Sequence, residues 1–180
     1  DLAFDHLVVA AGSATNFFGV QGADEHAFPL YSLTEAAQLR NHVLERFEAT
    51  DADPSLLERG SLTVVVVGGG PTGVEVAGAL AELIDVVLRR DFKHLDVSRA
   101  RVVLVEMQDD LLTPFSPVSL RHARETLVQR GVEIRTGTQV ASVSADHVEL
   151  TGGEVVPAQT LVWAAGVKAN PVAEALGLPV

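Results

Sequence analysis

The 180-residue chain has 24 acidic and 13 basic side chains, a formal net charge of −11, and 47% apolar but only 5% aromatic residues. This balance argues against nucleic acid as a partner and against direct contact with an anionic membrane, because both need clustered basic groups. The chain has no cysteine, which excludes a disulfide framework, a thiolate metal site and a CxxC redox pair, and which fits a reducing compartment such as the cytoplasm.

The first sixty residues are predicted to contain one strand, one helix and two connecting segments. Residues 4–10 are predicted to form a short buried strand, and residues 13–29 a loop. Ser32 and Glu35 have the spacing of a capping box, so a helix is predicted from there to about residue 48. Residues 51–60 contain a proline and are predicted to be a linker.

Residues 62–89 predict a strand, a glycine-rich turn and a helix in direct succession. Four valines lead into the spacing Gly68-x-Gly70-x-x-Gly73, and an apolar helix-forming run follows at once. A dinucleotide site requires this context, because the turn and the helix N-terminus bring backbone N–H groups to a pyrophosphate. The first glycine permits the bend, the second leaves room for the ligand, and the third lets the helix pack closely on the strand. The predicted phosphate-binding residues are Gly68, Gly69, Gly70, Pro71, Thr72 and Gly73.

The spacing of this turn is also found in two other kinds of glycine-rich turn. A nucleoside-triphosphate loop is excluded, because Val74 and Glu75 stand where Lys and Ser or Thr would be needed. A glycine turn that serves only strand–helix packing remains the alternative.

A second strand is predicted at residues 102–106, after a polar insertion at residues 90–99 that lengthens the crossover. The strand ends in Glu106, where an acidic side chain accepts hydrogen bonds from the adenosine ribose and repels a 2′-phosphate. No arginine follows in residues 107–112 to hold such a phosphate. The sequence therefore favours NADH over NADPH, with a solvated strand-end carboxylate as the alternative for Glu106.

The remaining chain changes from a helical to a strand period. A helix is predicted from Ser116 to Arg130, ended by Gly131. Strands are predicted at residues 132–135, 139–144, 147–150, 154–156 and 160–164. The fold class is therefore α/β, a Rossmann-like parallel sheet with crossover helices and a three-stranded antiparallel meander.

Three segments, GGGPTGVEVAGAL, LVEMQDDLL and LVWAAGVKANP, together resemble the pyridine-nucleotide domain of two-dinucleotide-binding flavoproteins. Within that superfamily the chain looks most like the type II NADH dehydrogenases, single-subunit NADH:quinone oxidoreductases. The resemblance implies that residues 1–30 are a remnant of a flanking FAD-binding domain. Residues 31–60 would then be a helix and linker, and residues 61–180 the NAD(H)-binding domain.

The resemblance also adds site residues to those predicted from the turn. It implies that Ala164, Ala165 and Gly166 lie near the nicotinamide and the flavin edge, the alternative being a simple turn. It implies a positioning role for Glu75, whose alternative is favourable placement of an acid near a helix N-terminus. Trp163 is expected in the core and Lys168 in solvent, and no metal-ligand spacing is found among the histidines.

By this resemblance NADH is the ligand of the chain, with FAD and quinone bound only by the intact enzyme. That enzyme is expected to lie peripherally on the cytoplasmic face of a membrane. The chain alone is expected to be inactive, because the other glycine motif of the family is not in it. The alternatives are the NADH-binding domain of a ferredoxin or rubredoxin reductase, a non-catalytic NADH-binding module, and a ligand-free relic. A strand at residues 4–10 without its partners would be an exposed edge, which predicts a homodimer through residues 1–30.

Overall fold

A five-stranded parallel sheet lies at the centre of the computed structural model, which describes residues 3–177. In chain order the strands are β1 (Ser13–Thr15), β2 (Phe28–Pro29), β3 (Thr63–Val67), β4 (Arg101–Val105), β5 (Val132–Arg135), β6 (Val140–Val143), β7 (His147–Leu150), β8 (Val155–Pro157), β9 (Thr160–Trp163) and β10 (Val167–Ala169). The α-helices are α1 (Ala23–His26), α2 (Leu33–Ala52), α3 (Pro71–Glu82), α4 (Arg89–Asp91), α5 (Pro117–Gln129) and α6 (Pro171–Ala175).

The sheet topology confirms the predicted α/β fold class. The central sheet has the strand order β2-β9-β3-β4-β5, with every neighbouring pair parallel. Strands β6, β7 and β8 form a separate antiparallel sheet, which is the predicted meander. The carboxyl ends of β9, β3 and β4 therefore lie side by side at one edge of the central sheet.

The valine run of β3 is apolar throughout because the sheet is covered on both faces. Val64 and Val66 belong to a core cluster that includes apolar side chains of α2, α3 and α5. Val65 and Val67 alternate with them and belong to a second cluster, formed with the side chains of the meander. Since successive side chains of a strand point to opposite faces, a doubly covered strand needs no polar position.

The prediction of a loop at residues 13–29 is wrong. Strand β1 pairs antiparallel with β10, and β2 adds to the central sheet beside β9. Between them, α1 packs against β6, and Ala23 is fully buried. These elements have two to four residues each and take their partners from distant parts of the chain, so no local periodicity reveals them.

The prediction of a buried strand at residues 4–10 is also wrong. This segment forms no strand, and Phe4, Leu7 and Val8 are 66%, 61% and 88% exposed. Its apolar composition predicts burial, but no neighbouring strand in the described part of the chain pairs with it. The homodimer through residues 1–30 stays a prediction, and residues 1 and 2 of that segment lie outside the described range.

The capping box is confirmed, and the helix it starts is longer than expected. Ser32 Oγ accepts from the Glu35 N–H at 3.2 Å, and the Glu35 carboxylate accepts from the Ser32 N–H at 2.7 Å. Helix α2 continues to Ala52, and a 3₁₀ helix at Pro54–Arg59 occupies most of the predicted linker.

The glycine-rich turn is followed by a composite helix rather than one regular helix to Arg89. A π-helical segment, Leu83–Leu88, separates α3 from α4. The polar insertion then forms a short 3₁₀ helix at Val97–Arg99 before β4. At the other end of the chain, β10 and α6 follow the last predicted strand and were not predicted.

Candidate functional site

A cavity of about 550 Å³ opens at the carboxyl edge of the central sheet, and we call it the edge cavity. Its floor is formed by residues 67–71 after β3, residues 105–108 after β4 and residues 163–166 after β9. Because these strands are parallel neighbours, the loops that follow them meet at one place. In open α/β sheets this edge is where ligands bind.

The turn after β3 is held by its two neighbouring strands. The Gly68 N–H donates to the Val105 carbonyl at 2.8 Å, and the Ala164 N–H donates to the Val67 carbonyl at 2.8 Å. Gly68 has a φ of +113°, and a Cβ atom there would come within 2.6 Å of the Ala164 carbonyl oxygen. Glycine is therefore required at this position both by conformation and by space.

The other two glycines of the motif face opposite environments. A Cβ atom at Gly73 would overlap the Gly68 carbonyl, because α3 starts directly against the end of β3. At Gly70 a Cβ atom would meet nothing within 4 Å, so the space in front of this residue is open. This is the difference expected if one glycine serves packing and the other leaves room for a ligand.

Helix α3 offers its N-terminus to that open space. Gly70 is the N-cap residue and has no side chain to accept a hydrogen bond, and Pro71 occupies the first helical position. The N–H groups of Thr72 and Gly73 therefore have no capping acceptor. Together with the helix dipole, they form an arrangement suited to an anion such as a pyrophosphate.

Glu106 lies beside this turn, although 37 residues separate it from Gly69 in the sequence. Its Oε2 accepts from the Gly69 N–H at 2.5 Å, and its Oε1 accepts from the Gln108 N–H at 2.8 Å. The pairing of Val67 with Val105 brings the two strand ends together. A half-buried carboxylate thus lies on the β4 side of the turn.

Ala164, Ala165 and Gly166 line the edge cavity on the opposite, β9 side of the turn. Their small side chains leave the backbone close to the cavity. The turn after β3 thus has Glu106 on one side and this small-residue segment on the other. Such an arrangement can hold an elongated ligand across the ends of three strands.

Three predicted site residues do not line the cavity. Gly73 is buried beneath the turn, and Thr72 is exposed beside it on the first turn of α3. Glu75 is exposed on α3 and is not among the residues that line the cavity. The structure thus places Glu75 next to the site and does not bring it into the cavity.

Several lining residues were not predicted. Phe18 and Val20 line the cavity from the segment predicted to be a loop, and Trp163 lines it although it is 4% exposed and belongs to the core as expected. On the β4 side the unpredicted lining residues are Val105, Met107, Gln108, Asp110, Leu112, Thr113, Pro114, Thr138, Gln139 and Val140. The only local sign of Phe18 in the sequence is that two adjacent phenylalanines, Phe17 and Phe18, are followed by a glycine.

The charged groups around the cavity are few. Asp110 lines it and pairs with Arg124 of α5, with Nη2 and Oδ1 3.2 Å apart. Within residues 3–177 no group of three His, Asp or Glu side chains could hold a metal ion. None of the helices in that range is long and apolar enough to cross a membrane.

Comparisons with known proteins show the family and the fold of the chain. The chain matches, over residues 1–180, the family described as pyridine nucleotide-disulphide oxidoreductase. It is 36% identical over 172 residues to the type II NADH:quinone oxidoreductase Ndh of Mycobacterium tuberculosis, a match that covers 93% of this chain and 37% of that protein. It is 33% identical over 174 residues to a probable NADH dehydrogenase of Dictyostelium discoideum, covering 96% of this chain and 39% of that protein.

The fold is shared with a solved structure. NDH2 from Plasmodium falciparum in complex with NADH superposes with a TM-score of 0.83 at 24% identity, over 89% of this chain and 34% of that one. The chain thus spans less than two fifths of the length of the relatives that it matches.

Proposed function

Because the chain belongs to the pyridine nucleotide-disulphide oxidoreductase family, we propose that it binds NADH in the edge cavity. The binding would serve an FAD-dependent NADH:quinone oxidoreductase of which this chain forms the NADH-binding part. The observation that carries the proposal is the open space in front of Gly70, between Glu106 and residues 164–166. The curated relatives named as NADH dehydrogenases support the reaction class.

In this proposal the pyrophosphate lies against Gly70, where it meets the uncapped N–H groups at the start of α3. The adenosine ribose lies on the β4 side, where the Glu106 carboxylate accepts hydrogen bonds from its hydroxyl groups. The nicotinamide then extends to the β9 side, against Ala164, Ala165 and Gly166. The same carboxylate repels a 2′-phosphate, so NADH is preferred over NADPH.

The chain contributes orientation rather than acid–base chemistry. FAD, when bound in the intact enzyme, supplies the acceptor for the hydride that NADH carries. One face of the nicotinamide lies toward the small residues 164–166, which leaves its other face open for that transfer. Glu75 remains a positioning candidate at the margin of the cavity, and quinone is the proposed final acceptor in an enzyme bound peripherally to the cytoplasmic face of a membrane.

Gly70→Ala tests the proposal directly. The added methyl group meets no protein atom and the φ of −72° suits alanine, so we expect only the small loss of stability that alanine causes at an N-cap, about 1 kcal/mol or less. The methyl group would occupy the space of the pyrophosphate. NADH affinity, measured by calorimetric titration, should therefore fall at least about tenfold, which corresponds to a loss of about 1.4 kcal/mol in binding free energy.

Gly78→Ala on the same helix is the matched control. A Cβ atom at Gly78 makes only ordinary contacts, the nearest at 3.5 Å from Leu127 Cδ2, and Gly78 does not line the cavity. Its NADH affinity should equal that of the unsubstituted chain. If the unsubstituted chain binds no NADH, or if Gly70→Ala binds NADH as tightly as the unsubstituted chain does, the proposal is wrong.

A further inference from the structure

Phe18 combines a left-handed backbone conformation with a largely exposed aromatic side chain. Its backbone has a φ of +51°, in the left-handed region that bulky residues rarely adopt, and the residue is 63% exposed. Within residues 3–177 only one other non-glycine residue, Leu112 at +50°, has a positive φ, and both residues line the edge cavity. Backbone strain of this kind tends to collect at binding sites.

The loop that carries Phe18 is fastened to the end of β9. The Asn16 N–H donates to the Gly166 carbonyl at 3.1 Å, and the Trp163 indole N–H donates to the Asn16 carbonyl at 2.8 Å. The Asn16 side-chain oxygen in turn accepts from the Phe18 N–H at 2.9 Å. The position of Phe18 is therefore set by hydrogen bonds to the same strand end that forms one side of the cavity.

The Phe18 ring lies directly over Gly166. A Cβ atom at Gly166 would come within 3.0 Å of the ring Cζ atom and 3.3 Å of Cε2. Any larger residue at this position would push the ring away. The small residue at 166 thus serves the ring of Phe18 as well as access to the cavity.

The ring lies on the side of the glycine turn opposite Glu106. If the dinucleotide lies as proposed, its adenosine end is on the β4 side and its nicotinamide end on the β9 side. We infer that the Phe18 ring forms an aromatic wall for the nicotinamide ring of NADH and is a positioning residue for that end of the ligand. This inference rests on the proposed NADH binding and adds the contact that orients the nicotinamide.

The test compares NADH with ADP-ribose, which has both riboses and the pyrophosphate but no nicotinamide. Both are titrated calorimetrically into the chain and into Phe18→Ala, Phe18→Tyr and Phe18→Gly. Phe18→Ala should bind NADH about three- to tenfold more weakly, the size expected of one lost aromatic contact, and ADP-ribose within about twofold. Phe18→Tyr keeps the ring and should bind both ligands nearly as the unsubstituted chain does.

Phe18→Gly guards against a trivial loss of structure. Glycine adopts the left-handed φ without strain, so this variant should melt no lower than the unsubstituted chain while it shows the same selective loss for NADH. Phe4→Ala is the matched control, because Phe4 is 66% exposed and does not line the cavity. Its affinities for both ligands should not change.

The outcomes separate this inference from the proposed function. If the unsubstituted chain binds neither ligand, the proposed function fails and the inference with it. If it binds both, and Phe18→Ala and Phe18→Gly weaken NADH and ADP-ribose equally or not at all, only the role of Phe18 is overturned.

Discussion

Glu106 is in contact with the glycine turn, and the proposed function also gives this side chain a role in the selection of the ligand. Its two carboxylate oxygens accept from the N–H groups of Gly69 and Gln108, which holds the carboxylate beside the turn. A charge held in this way cannot move aside for a 2′-phosphate. If NADH binds as proposed, the residue should affect both the affinity for NADH and the discrimination against NADPH.

Glu106→Gln removes this charge and keeps the size of the side chain. We expect NADH affinity to fall about tenfold, because a neutral amide oxygen is the weaker acceptor for ribose hydroxyl groups. NADPH affinity should change less, since the repulsion of the 2′-phosphate is lost at the same time. Titration with both nucleotides measures the ratio of the two affinities.

Glu48→Gln is the control for the change in net charge, since Glu48 is exposed on α2 and does not line the cavity. Its ratio of NADH affinity to NADPH affinity should match that of the unsubstituted chain. An unchanged ratio in Glu106→Gln would remove Glu106 from the specificity role.

At the scale of elements, the contact between β3 and α3 determines the shape of the site. No side chain separates the helix from the strand at Gly73, and the uncapped N-terminus of α3 therefore lies at the carboxyl edge of the sheet. The neighbouring strand ends supply the rest of the cavity. The site is thus a consequence of how closely these two elements pack.

Gly73→Ala should destabilise the protein more than Gly70→Ala does. The added methyl group overlaps the Gly68 carbonyl, which is backbone and cannot rotate away. We expect the free energy of unfolding to fall by about 2 kcal/mol or more, as for overpacked cores, which urea denaturation would measure. If Gly73→Ala were as stable as Gly78→Ala, the close packing of α3 on β3 would be disproved.

At the scale of the whole molecule, His42 joins α2 to the central sheet at the amino end of β9, away from the edge cavity. Its Nε2–H donates to the Gln159 carbonyl, whose oxygen is 2.9 Å from Nε2. Thr160 Oγ1, at the start of β9, is 3.1 Å from the same nitrogen. Its ring also lies against that of Phe28, with centroids 4.6 Å apart. Burial lowers the pKa of His42 below its ordinary value, and the nearby Arg46 acts in the same direction.

This lowered pKa predicts a loss of stability in mild acid. The unfolded chain takes up a proton at His42 near the ordinary pKa, while the folded chain resists it, so stability is present above that pKa and is lost as the pH falls. The melting temperature should therefore fall less between about pH 7.5 and 5.5 in His42→Gln, whose amide can still donate to Gln159. Equal slopes in the two proteins would contradict this role.

The fold could be predicted in outline because its central elements carry local signals. The valines of β3, the glycine spacing after them and the helix that follows lie within thirty residues of one another. The capping box of α2 and the alternating strands of the meander are equally local. The short elements at residues 13–29 were missed because β1 and β2 pair with β10 and β9 near the other end of the chain.

The candidate site could be predicted only where its residues carry a motif. Eight of the eleven predicted residues line the edge cavity: Gly68, Gly69, Gly70, Pro71, Glu106, Ala164, Ala165 and Gly166. Their roles as ligand contacts stay predictions until binding is measured. Phe18 was missed because only the hydrogen bonds between its loop and the end of β9 bring it to the cavity.

The sequence by itself determined the strand–turn–helix, the uncapped helix N-terminus and the acidic strand end, because each depends on neighbours along the chain. The tertiary structure alone decided that Glu106 and Gly69 are in contact, that Glu75 stays outside the cavity, and that residues 4–10 are exposed. It also decided that Phe18 lies over Gly166. Strand order and long-range pairing set these distances, and both depend on contacts between residues far apart in the sequence.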